Sequence, residues 1–384
     1  MPEKTTHVPQ LDGLRGLAVI LVLLAHSTMV FVRIPLFTGW MDRYGSLGVQ
    51  IFFVLSGFLI TRILLETKES SSYFSSFFIR RGLRIYPLYY ATLAFVIVSG
   101  VVHQHGVQWW VYGVYASNLV YGHTVQPAPL APVWSLAVEE QYYLVWPFVV
   151  WIASQRVLKR ILVLIMAGAV VLRFTGFFYP HNTMLQLDAL SAGALVACSR
   201  GSIRWWRLPA AFAACLMPLG MGFTDSLVLN SLSQTIQVIS AAGLLIVLLD
   251  GDTIPSRIFR SRVLRYIGAI SYGIYLLHSF VFSALLRTQF VTRIIDRGSL
   301  VQAAFVLALE YAIVIAVASA SFFLFERPFL RLKRFFPADR AGTGEAQAHG
   351  WWPRRMRENA AGSNTAIPTR MAYRDVTLAD QGES

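Results

Sequence analysis

Cysteine is nearly absent from this chain. Two occur in 384 residues, Cys198 and Cys215, both in or beside apolar runs. Two such thiols exclude a disulfide framework and argue against a cysteine zinc site. Charge is scarce too: 14% of the residues are Asp, Glu, Lys or Arg, against about 25% in soluble domains. Acidic residues are the rarer sign, 20 against 33 basic ones, for a formal charge of +13. A basic soluble protein would suggest nucleic acid, but here the basic residues stand between hydrophobic runs, where they set membrane topology. No small-residue cleavage site separates the first apolar run from a soluble domain, so that run is expected to be a retained helix. No internal repeat is visible, which removes a usual mark of secondary transporters.

What the chain does have is length of apolar sequence. Hydrophobic residues make up 55% of it, and several runs reach the ~17 residues needed to cross a hydrocarbon core. The expected fold is an all-α polytopic membrane helix bundle with about ten transmembrane helices, over roughly 14–32, 46–65, 85–103, 139–154, 160–177, 185–198, 208–222, 235–250, 266–286 and 301–325. With the N-terminus inside, the cytoplasmic loops hold 15 Lys and Arg and the outer loops hold 6, the latter being Arg33, Arg43, Arg173, Arg287, Arg293 and Arg297. The asymmetry places both termini in the cytoplasm. Segment 107–121 is aromatic-rich and is expected to lie at the interface or to re-enter. Residues 1–336 read as one membrane domain. Residues 337–384 carry no apolar period and read as a disordered cytoplasmic tail.

The first apolar run, Leu11 to Ile34, carries Asp12, Arg15 and His26. Arg15 and His26 are eleven residues apart, which at about 100° per residue is within about 20° of whole turns. Their side chains therefore share one helix face, about 16 Å apart along the axis. Asp12 lies one turn below Arg15. Taken singly, the histidine also fits an interhelical hydrogen bond and the arginine a positive anchor, but ionisable groups inside a span are costly and mark function by default.

Three further stretches add chemistry. "FFVLSGFLITRILL" (Phe52 to Leu65) carries Ser56 and Gly57, small residues that permit close helix packing. "RRGLRIYPLYY" (Arg80 to Tyr90) sets Arg81 and Arg84 one turn apart, where two guanidiniums suit a phosphate-bearing ligand. "WSLAVEEQYYLVWP" (Trp134 to Pro147) brings Trp134, Ser135, Glu139 and Glu140, followed by Tyr142 and Tyr143. The aromatic groups there suit a sugar ring as well as they suit membrane packing.

As a set, these residues resemble the acyltransferase 3 family of integral-membrane O-acyltransferases. The resemblance rests on Asp12, Arg15 and His26 (an R-x10-H pattern), on the RxxR of Arg81 and Arg84, and on Trp134-Ser135-Leu136 followed by Glu139. "SYGIYLLH" (Ser271 to His278) and "FERP" (Phe325 to Pro328) match late spans of the family, so the likeness covers about residues 8–335. One departure stands out: the family often has an arginine two residues before the aspartate of its middle span, and here Gln186 precedes Asp188.

The resemblance implies transfer of an acyl group, expected to be acetyl, from cytoplasmic acyl-CoA to a hydroxyl of a cell-surface polysaccharide or lipid-linked glycan. The setting is a bacterial cytoplasmic (inner) membrane, and membrane lipid is the other partner. No permanently bound cofactor, metal or nucleic acid is expected; acetyl-CoA or another acyl-CoA serves as donor substrate. His26, Glu139, Arg15 and Asp12 form the expected catalytic set, with His26 as general base or as a transient acyl carrier. Arg81 and Arg84 are expected to hold the donor, and Trp134, Ser135 and Tyr142 the acceptor. Two other readings remain open from residues alone: a secreted small-molecule acceptor such as a macrolide, and a proton-coupled transporter or flippase.

Overall fold

The computed structural model of the protein describes residues 8–27, 35–102, 107–120, 128–199, 203–217, 226–249, 253–297 and 300–336, with backbone alone for 35–44, 203–206, 295–297, 300 and 303. All regular structure among them is helical. In chain order the helices are α1 (Pro9–His26), α2 (Pro35–Glu66), α3 (Tyr73–Ser99), the short α4 (Trp109–Gly113) and α5 (Ser117–Val120), α6 (Val133–Ile152), α7 (Gln155–Thr175), α8 (Thr183–Cys198), α9 (Ile203–Cys215) and α10 (Leu227–Leu249). There follow α11 (Ile254–Phe259), α12 (Arg262–Ala269), α13 (Ser271–Leu286), α14 (Gln289–Arg297), α15 (Leu300–Ser321) and α16 (Arg327–Arg331). A π-helical turn, Phe322–Glu326, joins α15 to α16. The tail over 337–384, read as disordered, lies outside the described residues.

Five helical stretches are long and apolar enough to cross a bilayer among the described residues: α1, Gly45–Glu66 of α2, α3, α10, and Ala304–Phe335. A sixth arises if α12 and α13, bent by 72° at their junction, count as one span. The ten crossings expected from the sequence are thus not all met by length and hydropathy. The apolar runs at 139–154, 160–177 and 185–198 fall on α6 to α8, and the run at 208–222, of which 218–222 lie outside the described residues, on α9; these helices are shorter or carry more polar groups. The protein is nonetheless an integral membrane protein by these helices.

At the centre, α2 packs mainly on α8 and α1, and α1 on α12. Glycine makes two of these crossings possible. A Cβ on Gly193 of α8 would strike the backbone carbonyl of Val54, and one on Gly57 of α2 would strike the carbonyl of Leu190. The backbones of α2 and α8 touch there, the geometry that small residues allow between membrane helices. Gly16 and Gly268 do the same for α1 and α12, against the carbonyls of Leu264 and Asp12. The sequence reading expected close packing from both Ser56 and Gly57. Gly57 makes the crossing, while Ser56, one residue earlier, lines the cavity described below.

Gly193→Val is therefore expected to destabilise the folded protein by about 1–3 kcal/mol or more, the cost of forcing volume into a packed core. Thermal unfolding in detergent measures it; an unchanged midpoint would contradict a backbone-to-backbone crossing.

Several polar groups buried between these helices pair with one another, the favourable arrangement away from water. The Oε1 of Gln186 accepts from Gln50 Nε2 and from Gln234 Nε2, each at 2.9 Å. Trp146 Nε1 donates to Thr61 Oγ1 at 2.8 Å. The aromatic segment read as interfacial or re-entrant lies along α3: Tyr115 stacks on Tyr89 with ring centroids 4.4 Å apart, and the Tyr89 hydroxyl donates to the Tyr112 carbonyl at 2.8 Å.

Candidate active site

Five elements bring polar groups to one cavity with about 680 Å³ of empty space, counted out through its open mouth. Arg15 reaches it from α1, Ser56 from α2, Arg81 and Arg84 from α3, and Ser135, Glu139 and Tyr143 from α6. The start of α13 closes another side with Ser271, Tyr272 and Tyr275. Arg15, expected to act with His26, thus joins the RxxR pair instead. Helical spacing explains the α3 contribution: residues three apart sit on one face. Nothing in sequence spacing predicted that α1 and α3 would present their arginines to the same space.

Glu139 is held from two sides. Ser56 Oγ donates to its Oε1 at 2.6 Å, and the Tyr143 hydroxyl donates to its Oε2 at 3.0 Å. The Arg81 guanidinium lies over the Tyr143 ring, 5.0 Å from its centroid, a cation–π contact. Asp12 does not line the cavity; it pairs with Arg15 at 3.2 Å and so holds that guanidinium in place. Among the described residues, no carboxylate stands within ion-pair distance of Arg81 or Arg84. Two partly buried guanidiniums facing a cavity without a carboxylate partner form a ready site for an anion.

Ser135 lies at the other end of the group. Its hydroxyl bonds the Tyr275 hydroxyl, which donates to the Pro132 carbonyl at 2.7 Å. Tyr142 and Tyr143 part company because adjacent helical residues point about 100° apart. Tyr143 lines the cavity, whereas Tyr142, expected to bind the acceptor, is buried behind it and stacks on Trp146 at 5.0 Å. Trp134 does not line the cavity either. It stacks on His181, 4.2 Å between centroids, and meets Phe53 edge-on at 6.0 Å. Burial pushes the His181 imidazole down to about 4, so a neutral ring faces the indole at neutral pH.

His26 stands at the last residue of α1, beside the cavity but not on its wall. Its Nδ1 lies 2.8 Å from the Val22 carbonyl. A carbonyl only accepts, so Nδ1 carries the proton and Nε2 is the basic nitrogen. The ring meets His278 edge-on at 4.9 Å, and His278 lies 6.0 Å from Tyr275 on the cavity wall. Glu139, expected in the catalytic set with His26, is engaged with Ser56 and Tyr143, and the His26 ring meets that of His278. His278 closes the SYGIYLLH motif. It is fully buried, with Nδ1 on the Tyr275 carbonyl at 2.7 Å, so Nε2 accepts from Ser279 Oγ at 3.2 Å.

The arginine missing before Asp188 is supplied from elsewhere. Arg173, counted among the outer-loop arginines, is buried at the end of α7 and donates to Asp188 Oδ2 at 2.5 Å. Among the described residues no cluster of His, Cys, Asp or Glu has the arrangement of a metal site.

The chain is similar to the peptidoglycan O-acetyltransferase OatA of Listeria monocytogenes, 30% identical over 317 residues, covering 71% of this chain and 49% of that protein. It is also similar to the putative peptidoglycan O-acetyltransferase YrhL of Bacillus subtilis, 29% identical over 325 residues, covering 72% and 49%. A putative O-acetyltransferase of Staphylococcus aureus strain COL is 30% identical over 179 residues, covering 41% of this chain and 27% of that protein. The chain thus spans about half the length of the first two, and less of the third. No solved structure matches it. The acyltransferase domain profile matches residues 8–325, which takes in α1 with Arg15 and His26, the paired arginines of α3 and the Trp-Ser-Leu of α6, and on that match the chain belongs to the acyltransferase 3 family.

Proposed function

We propose that the protein is an integral-membrane O-acyltransferase that moves an acyl group, expected to be acetyl, from acyl-CoA to a hydroxyl of a peptidoglycan-like glycan. The observation that carries the reading is the convergence of Arg15, Arg81 and Arg84 on one cavity with Glu139, with no carboxylate among the described residues within ion-pair distance of the α3 pair. Such a pair suits the phosphates of a CoA donor. The names of the two peptidoglycan relatives support the acceptor class.

In this reading α6 to α9 complete the ten crossings of a bacterial inner membrane, and both ends face the cytoplasm. The donor enters where α3 begins. The acceptor oxygen attacks the thioester carbonyl; the new C–O bond forms as the C–S bond breaks. The hydroxyl proton passes to Nε2 of His26 and then to the departing thiolate, so CoA leaves as the thiol. The hydrogen bond to Val22 fixes the tautomer this requires. Asp12 positions Arg15, and Glu139 positions Tyr143 and Ser56 while balancing the charge of Arg81 and Arg15.

The test uses the purified full chain with radiolabelled acetyl-CoA and a peptidoglycan fragment as acceptor. Wild-type protein is expected to form an alkali-labile ester. Arg81→Ala/Arg84→Ala is expected to raise the KM for acetyl-CoA at least about tenfold, since each charge-assisted contact contributes about 1.5–3 kcal/mol, with a smaller change for the acceptor. An unchanged donor KM in that variant would remove phosphates from this cavity. Absence of any ester in the wild type would remove the reading itself.

A further inference from the structure

Where residues 109–120 run along α3, they build an aromatic cluster beside the cavity. Tyr86 and Tyr90 stand one turn apart on α3, their ring centroids 5.8 Å apart, and the Tyr115 ring lies 6.1 Å from the first and 6.2 Å from the second. Glu140 of α6 joins them, because the Tyr86 hydroxyl donates to its Oε2 at 3.2 Å. Gln141, the next residue, donates Nε2 to the Tyr115 carbonyl at 2.7 Å. Tyr115 is thereby clipped to α6 beside Glu140, with φ at 55°, a left-handed backbone that bulky residues seldom adopt. The cluster adjoins the cavity on both helices: Tyr86 and Glu140 each follow a residue that lines it, Ile85 and Glu139. Tyr272 on the cavity wall donates its hydroxyl to the Ile85 carbonyl at 2.7 Å.

Two polar atoms of this cluster are left over. Tyr115 is 7% exposed, and its hydroxyl is buried without a hydrogen-bond partner. The Oε1 of Glu140 is buried and equally without one. Buried polar atoms are nearly always bonded, so each exception calls for an explanation. Here one atom is a donor and the other an acceptor, and an alcohol is both at once. The phenol can donate to an alcohol oxygen whose own hydrogen goes to the carboxylate. Beside them, Tyr86 and Tyr90 each leave 41% of their surface open. A tyrosine ring offers an apolar body with a polar tip, which matches a pyranose, apolar across its ring and hydroxylated at its rim. Tyr90 lies six residues past Arg84 on α3, about 9 Å beyond the arginines that face the donor.

We propose that Tyr115 and Glu140 bind a hydroxyl of the acceptor sugar, with Tyr86 and Tyr90 as the platform for its ring; this rests on the acceptor reading above. The sugar then sits next to Glu139. Trp134 and Tyr142, the aromatic residues expected to hold it, stack on His181 and Trp146 instead.

Binding of a peptidoglycan disaccharide, and separately of CoA, to the full chain in nanodiscs tests the assignment by isothermal titration calorimetry. Tyr115→Phe removes one oxygen that bonds nothing in the protein, so this variant is expected to unfold at or above the wild-type midpoint. Its affinity for the disaccharide is expected to fall about three- to tenfold, the loss of one neutral hydrogen bond. Glu140→Gln is expected to lose about tenfold, because a bond to a charged acceptor is stronger. Both variants are expected to bind CoA as wild type does. Wild-type affinity for the disaccharide in either variant overturns the assignment and leaves the acceptor reading standing. A matching loss of CoA affinity also overturns it, since the effect is then not confined to the acceptor. A wild type that binds CoA but not the disaccharide removes the acceptor reading, and this assignment with it.

Discussion

His26→Ala is expected to lower acyl transfer by about 10²–10⁴-fold, the usual contribution of a positioned general base, while the protein remains folded. The side chain is exposed at the end of α1. It is the last residue of α1, more exposed than any of the helix's core positions, and it touches its own helix through the Val22 carbonyl and α13 through the His278 ring. The Gly16–Gly268 crossing that seats α1 lies ten residues away. A loss of transfer without loss of thermal stability therefore reports chemistry. The measurement is ester formation from labelled acetyl-CoA beside a thermal unfolding curve of the same preparation. If the alanine variant transfers acetyl at the wild-type rate, His26 takes no proton. His26→Gln is the companion variant: it can donate to Val22 but has no basic nitrogen, so it is expected to be equally inactive.

The second large effect is on folding. Arg173→Leu is expected to destabilise the protein by about 3–5 kcal/mol, the cost of leaving a buried charge without its partner. Arg173 is 5% exposed and Asp188 2%. The arginine also donates to the Leu185 carbonyl at 2.8 Å and to Thr235 Oγ1 at 2.9 Å, so one side chain ties α7 to α8 and α10. Losing the guanidinium leaves the buried Asp188 carboxylate with the Ala189 N–H but without its charged partner. The double variant Arg173→Leu/Asp188→Leu is expected to recover much of the loss, because an apolar pair of similar volume often replaces a buried ion pair at little cost. Unfolding midpoints of the wild type, the two single variants and the double variant measure the coupling. A single variant as stable as wild type would mean that the pair contributes nothing net.

Arg173 also shows where reading along the chain reaches its limit. Charge counting assigned it to an outer loop, and the gap before Asp188 was filled on paper by Gln186. In the fold Gln186 accepts from Gln50 and Gln234, and the charge for Asp188 comes from fifteen residues earlier, on another helix. Tyr142 is a second case. Its neighbour Tyr143 faces the cavity, and the choice between them depends on how α6 is rotated against α2 and α3, which local spacing does not encode.

The sequence by itself determined the solvent and the local geometry. Apolar runs long enough for a bilayer, with few charges inside them, call for helices in lipid, because lipid leaves backbone groups no other partners. A three-residue spacing put Arg81 and Arg84 on one face, and the motifs named the family. Only the tertiary structure decided that Arg15 joins that pair, that Glu139 turns to Ser56 and Tyr143, and that His26 rests on His278. Those contacts join helices distant in sequence, and their register follows from where backbones touch at Gly57 and Gly193 and at Gly16 and Gly268. A helix's own periodicity carries no information about its rotation against a partner it has not yet met.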